Sequence, residues 1–182
     1  INELVKKNIF EIYEVAVDRI GDYNKKLIGD KTLNEHQEKA LNEVKTHFKD
    51  KDVVLLHGVT SSGKTELYIK LIQEAIAKGE QVLYLLPEIA LTTQLIVRLQ
   101  KVFGDVIGVY HSKFNENERV EVWNKVLEFE QTKSSKFQIV MGARSSMFLP
   151  FSNLGLIIID EEHENSFKQY NPAPRYNARD TS

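Results

Sequence analysis

Short apolar runs at residues 53–56, 82–86, 106–110, 137–141 and 154–159 set the limits on what this chain can fold into. They are nearly continuous in apolar residues rather than alternating with polar ones, so the strands they predict are buried on both faces. Segments with helical spacing lie between the earlier runs, at 66–78, 91–103 and 115 to about 129. Parallel strands need a crossover between them, and a helix supplies both the crossover and the cover for a sheet face. The expectation is an α/β domain with a parallel sheet flanked by helices. At 182 residues and 42% hydrophobic content, the chain is long enough to give one such domain a real core.

The link between the first run and the first of these helices is Gly58-Val59-Thr60-Ser61-Ser62-Gly63-Lys64-Thr65: a glycine, four residues, then Gly-Lys-Thr. This is the phosphate-cradling P-loop pattern in its strand-loop-helix setting. With glycine at about 7% of residues, chance gives the pattern on the order of once in a hundred chains of this length, before the setting is counted. Glycine at both ends lets the loop turn its backbone N–H groups inward. Lys64 supplies a point charge for the β- and γ-phosphates, and the Thr65 hydroxyl can ligate Mg²⁺. The helix opening at Glu66 turns its unpaired N–H groups and positive dipole end toward the same anion. The expected ligand is ATP with Mg²⁺, held by residues 58–66.

The last apolar run delivers Asp160-Glu161-Glu162-His163 at its C-terminal end, where open α/β sheets bind ligands. Asp160 is the expected second Mg²⁺ ligand, directly or through water. Glu161 is the expected group to orient and deprotonate the attacking water. Lys64, Asp160 and Glu161 are thus the catalytic candidates, and the alternative for the acids is an ordinary solvated turn. Upstream, Thr32-Leu33-Asn34-Glu35 reads as a capping box opening a helix that runs to about Phe48. Gln37, near its start, either reads the adenine edge, whose N6 donates and N7 accepts, or is an exposed helical glutamine.

Lys and Arg number 24 against 26 Asp and Glu, a formal charge of −2, so nucleic-acid contact requires a local patch rather than a basic surface. The absence of cysteine excludes disulfides and thiolate metal sites and fits a reducing compartment. No apolar run approaches membrane-spanning length and no secretory or transit signature opens the chain, so a soluble cytoplasmic protein without a membrane partner is expected. Residues 1–31 read as an amphipathic helix ending at Gly21 followed by a polar linker. Because the chain starts at Ile1 and stops at Ser182, it reads as a fragment.

The Asp-Glu-Glu-His tetrad resembles the Asp-Glu-x-His box of superfamily 2 helicases. Leu86-Pro87-Glu88-Ile89-Ala90-Leu91-Thr92 resembles their motif Ia, and Gly142-Ala143-Arg144-Ser145-Ser146-Met147-Phe148 their motif Ib. With Tyr110-His111-Ser112, Pro150-Phe151-Ser152-Asn153-Leu154-Gly155, Ser166-Phe167-Lys168-Gln169 and Arg175-Tyr176-Asn177-Ala178-Arg179-Asp180, residues 31–182 closely resemble the replication-restart family of primosomal DNA helicases. The resemblance implies a P-loop NTPase with a RecA-like sheet, the first of two motor lobes, spanning 32–182. It implies an ATP-dependent helicase acting on single-stranded or forked DNA alongside primosome and single-strand-binding proteins. Zinc is expected only in the cysteine-bearing part of such a protein, outside this chain. The sequence departs from the family pattern at Ser61, Phe167 and Asn177. A side chain at Ser61 costs about 1 kcal/mol if the position needs φ > 0, and with Gly63 retained the cradle is expected to survive.

The same resemblance makes Thr92, Gln94, Arg144 and Ser145 candidates for DNA phosphate contact. From the residues alone, Arg144 is a cation after a strand, equally suited to a structural hydrogen bond. In the tail, Phe167, Tyr170 and Tyr176 are interleaved with Lys168, Arg175 and Arg179. Stacking faces beside cations suit single strands, at about 1–3 kcal/mol per base. The tail resembles the aromatic-rich loop that couples DNA binding to ATP hydrolysis in this family, the alternative being a segment packed on a second lobe. Two other functions share these motifs: a double-stranded DNA translocase or remodeller, and a nucleotide-gated interaction module of a primosome.

Overall fold

The structure is a computed structural model that describes residues 32–59, 62–87, 93–111, 114–132 and 136–182. The expected amphipathic helix and linker at 1–31, Thr60, Ser61 and Thr92 lie outside the described residues, and of Gln94 only its backbone, in a helix, is described.

Helix α1 spans Glu35–His47 and is capped by Asn34, two residues later than the box expected at Thr32. The Asn34 side chain accepts the Gln37 N–H at 2.9 Å, and the Gln37 side chain accepts the Asn34 N–H at 3.0 Å. Asparagine outranks threonine as an N-cap, and Gln37 supplies the reciprocal bond three residues on. Helix α2 spans Lys64–Ala77, starting from Gly63 at φ 86° and ending before Gly79 at φ 76°. Strand β1 (Gln81–Leu85), helix α3 (Thr93–Phe103), strand β2 (Ile107–Tyr110), helix α4 (Glu116–Thr132), strand β3 (Ile139–Gly142) and strand β4 (Leu154–Ile159) follow. A short helix α5 (Ala178–Thr181) closes the chain.

The strands form one parallel sheet in the order β2-β3-β1-β4. All of β1 and β3 is buried, as continuous apolar runs require. Alternation along β1 divides the core. Val82 and Tyr84 join Tyr68, Ile72 and Leu99 of α2 and α3 on one face, while Leu83 and Leu85 meet Phe167 and Ala178 of the tail on the other. Helix α4 covers β2 and β3 through Val122 and Val126. Two buried amides are hydrogen-bonded to the backbone. Gln81 Oε1 accepts the N–H groups of Ser152 and Asn153 at 2.9 and 3.1 Å, and Gln138 Nε2 donates to the Glu80 carbonyl at 2.8 Å.

The run at 53–56 does not form the expected strand. It belongs to no ladder among the described strands, with Val53 82% and Leu55 73% exposed while Leu56 packs on the core. Its apolar residues point both ways, and among the described residues only one side finds cover. No described helix is long and apolar enough to cross a membrane.

Candidate active site

The sequence-predicted residues Gln37, Ser62, Gly63, Lys64, Thr65, Glu66, Asp160 and Glu161 line one cleft of about 470 Å³, together with Asn34 and Arg98. Two connections build it. Gly63 starts α2 in the left-handed region, so the helix N-terminus and its unpaired N–H groups open into the cleft. Strand β4 ends beside β1, with Ile159 paired to Leu85, and projects Asp160 from the same sheet edge. Lys64 Nζ donates to the Gly58 carbonyl at 2.7 Å, closing the loop on itself, and Val59 lies exposed beside it.

Both oxygens of Asp160 are engaged. Oδ1 accepts the Glu161 N–H at 3.1 Å and Oδ2 accepts the hydroxyl of Tyr84, a fully buried residue of β1, at 3.0 Å. Burial, followed by the Asp160 charge and that hydrogen bond, holds the Tyr84 hydroxyl well above the ordinary tyrosine range, so it stays a donor. Its edge-on neighbour Tyr68 is pushed up to about 12, chiefly by burial and then by the fields of Asp160 and Glu161. Glu161 sits at φ 53°, a conformation non-glycine residues rarely adopt and one that recurs at functional sites. Its carboxylate lies 3.8 Å from His163 Nε2.

Gln37 lines the cleft and also makes structural bonds: its side-chain oxygen accepts the Asn34 N–H, and its Nε2 donates to the Gly63 carbonyl at 3.4 Å. Arg98, on the polar face of α3, pairs with Glu66 inside the cleft. Sequence reasoning missed Arg98, Asn34 and Tyr84. A cation on an amphipathic helix and a tyrosine inside an apolar run carry no local signal of a site.

The tail is a tight hairpin. Lys168 bridges antiparallel to Asn177, the Gln169 N–H donates to the Tyr176 carbonyl at 2.8 Å, and Gln169 Nε2 donates to the carbonyls of Pro172 and Pro174 at 2.9 and 3.0 Å. The expectation that Phe167 offers a stacking face does not match its placement, because its ring is 1% exposed beneath Leu83 and Leu85. An aromatic flanked by polar residues reads alike whether it is an anchor or a stacking platform. Arg144 Nη1 donates to the carbonyls of Lys168 at 2.8 Å and Ser166 at 3.3 Å. Ser145 is half-buried beside it. Tyr176 packs edge-on against Phe148, with centroids 5.0 Å apart, and burial raises its hydroxyl while Arg144 pulls the other way. Arg179 pairs with Glu162 at 3.0 Å and Asp180 at 2.8 Å, joining the tail to the acidic run. Tyr170 is the open ring, 58% exposed, with Lys168 Nζ 4.9 Å from its centroid and Arg175 exposed nearby in sequence.

Residues 34–180 match the DEAD/DEAH box helicase family. The chain belongs to that family. As a DEAD/DEAH box protein it has the RecA-like P-loop fold, and the parallel sheet with its flanking helices is that architecture. It is 49% identical over 126 residues to the replication restart protein PriA of Synechocystis, covering 69% of this chain and 14% of the relative. It is 46% identical over 130 residues to PriA of Bacillus subtilis, covering 71% and 15%, and 44% identical over 149 residues to PriA of Haemophilus influenzae, covering 82% and 19%. The chain therefore spans less than a quarter of the length of these relatives.

The donors lining the cleft suit a phosphate chain and a hard cation. Hydroxyl and carboxylate oxygens at Thr65 and Asp160 match the preference of Mg²⁺, and the lining contains no sulfur or imidazole. Among the described residues no cluster of three or more His, Cys, Asp or Glu is able to hold a metal by itself. That fits a cation shared between one or two protein oxygens and bound phosphates better than an all-protein cage.

Proposed function

We propose that residues 32–182 form the first motor lobe of a replication-restart DNA helicase. Mg·ATP binds in the cleft, held by the loop of residues 58–66, with Lys64 on the phosphates and Thr65 and Asp160 as protein donors to the cation. Glu161 takes a proton from the attacking water. Single-stranded or forked DNA meets the tail at Tyr170, Lys168 and Arg175. The whole protein is a cytoplasmic ATP-dependent helicase working with primosome and single-strand-binding proteins; the printed name of its PriA relatives supports the part in replication restart. One observation carries this reading: Lys64, Thr65, Asp160 and Glu161, far apart in sequence, line a single cleft.

The test uses the full-length protein and a fluorescent ADP. Lys64→Ala is expected to lose nucleotide binding by at least about tenfold, since the phosphates lose a direct charge partner. Glu161→Gln is expected to keep binding but lose about 10²–10⁴ in DNA-stimulated turnover, the range for removing a general base. If Glu161→Gln keeps full function, the nucleotide only gates an interaction. Equal stimulation by blunt duplex and single strands would favour the translocase reading.

A further inference from the structure

Tyr84 has no part in the chemistry so far, yet it is a fully buried tyrosine whose one polar atom reaches the acidic end of the neighbouring strand. A buried tyrosine hydroxyl needs a partner, and sheet carbonyls are the ordinary choice. This one instead donates to Asp160 Oδ2 at 3.0 Å, while the Glu161 N–H holds Oδ1 from its own turn at 3.1 Å. Rotation of a carboxylate about its last side-chain bond is broad and roughly two-fold. Two donors on its two oxygens, one from β1 and one from the chain itself, fix that rotation. Tyr84 is fixed in turn by the sheet register that pairs it with Ile158, and by Tyr68, whose ring stands edge-on at 5.9 Å. The donor is also neutral. A lysine or arginine in its place would orient the carboxylate while offsetting the negative charge a cation needs, whereas a hydroxyl orients it and leaves that charge in place.

We propose that Tyr84 is a positioning residue for the cation: its hydroxyl presets the Asp160 carboxylate so that a divalent metal bound with nucleotide meets an oxygen already in place. The proposal rests on the nucleotide reading of the cleft. It extends that site inward, from the residues facing the ligand to a buried side chain of β1. Tyr84→Phe removes the oxygen and keeps the ring, leaving the packing with Tyr68 and Ile72 intact.

The experiment measures Mn²⁺ binding to the full-length protein with ADP by the loss of the free-Mn²⁺ EPR signal, alongside fluorescent ADP affinity without metal. Tyr84→Phe is expected to raise the half-saturating Mn²⁺ concentration about tenfold, the scale for losing a partner of a metal ligand, while metal-free ADP affinity stays within about twofold. Tyr68→Phe removes the hydroxyl of the edge-on neighbour and is expected to leave Mn²⁺ binding at the wild-type value. If Tyr84→Phe fails to fold, Tyr84→Leu takes its place with the same expectation. Unchanged Mn²⁺ binding in the Tyr84 variant, or an equal shift in Tyr68→Phe, overturns the proposal. Lys64→Ala separates the two levels. If it leaves ADP affinity intact, the nucleotide reading fails; if it abolishes binding while Tyr84→Phe shifts nothing, only the positioning role fails.

Discussion

Gly63 answers to two constraints at one atom. Its φ of 86° is open to glycine and strained for other residues, and an added Cβ would collide with the Gln37 side-chain amide. Gly63→Ala therefore strains the start of α2 and pushes on the residue that caps α1. We expect a loss of about 1–3 kcal/mol in urea denaturation, in the range for a residue forced into a sparsely populated conformation, together with weaker binding of fluorescent ADP. Substituting Gly79, whose φ is 76° but whose Cβ direction is open, separates the two causes, since it carries the backbone strain without the collision. A Gly79→Ala loss equal to that of Gly63→Ala would show that Gln37 yields freely. The same glutamine joins two elements: its oxygen accepts from the N-cap of one helix and its amide reaches the loop that starts the next.

Among the elements, the short 3-10 helix Arg144–Phe148 is the seat of the tail. Arg144 donates to two tail carbonyls, Phe148 meets Tyr176, and Met147 packs in the cluster built around Phe167. Arg144→Ala leaves the carbonyls of Ser166 and Lys168 without that donor, and we expect about 1–3 kcal/mol of local destabilisation. Hydrogen–deuterium exchange should speed up across 166–177 while α2 keeps its protection; unchanged tail exchange would return Arg144 to the pool of free cations available to DNA. How legible each element was depended on whether its cause is local. Strand β4 begins and ends where its apolar run does, and Gly79 stops α2 as a left-handed glycine should. The loop of residues 58–65 and the acidic run at Asp160 were legible because their chemistry fixes residue types at set spacings. Arg144 and Phe167 were not, because a guanidinium aimed at a carbonyl and a ring turned into a core are set by tertiary packing. For β2 the run at 106–110 overshot by one residue, since Val106 closes a 3-10 turn.

At the scale of the whole molecule, both faces of the sheet are covered, by α2 and α3 on one side and by α4 and the tail on the other. Among the described residues β4 ends the ladder order with Leu154 38% exposed, and the segment leading into Gly58 leaves Val53 and Leu55 in solvent. Adjacent exposed apolar side chains favour association with another apolar surface. Leu55 and Leu56 make a controlled comparison: same residue type, adjacent positions, one in solvent and one against the core. In this chain by itself, Leu55→Thr should alter stability by no more than about 0.5 kcal/mol, as for other surface substitutions. It should also lower self-association measured by dynamic light scattering. Leu56→Ala removes a side chain packed against the core and should cost near the lower end of about 2–5 kcal/mol, because Leu56 is only partly buried. Equal costs for the two changes in urea denaturation would mean that Leu55 is covered in solution and that the segment has joined the sheet edge as a strand. That result would recover the strand its apolar pattern predicts.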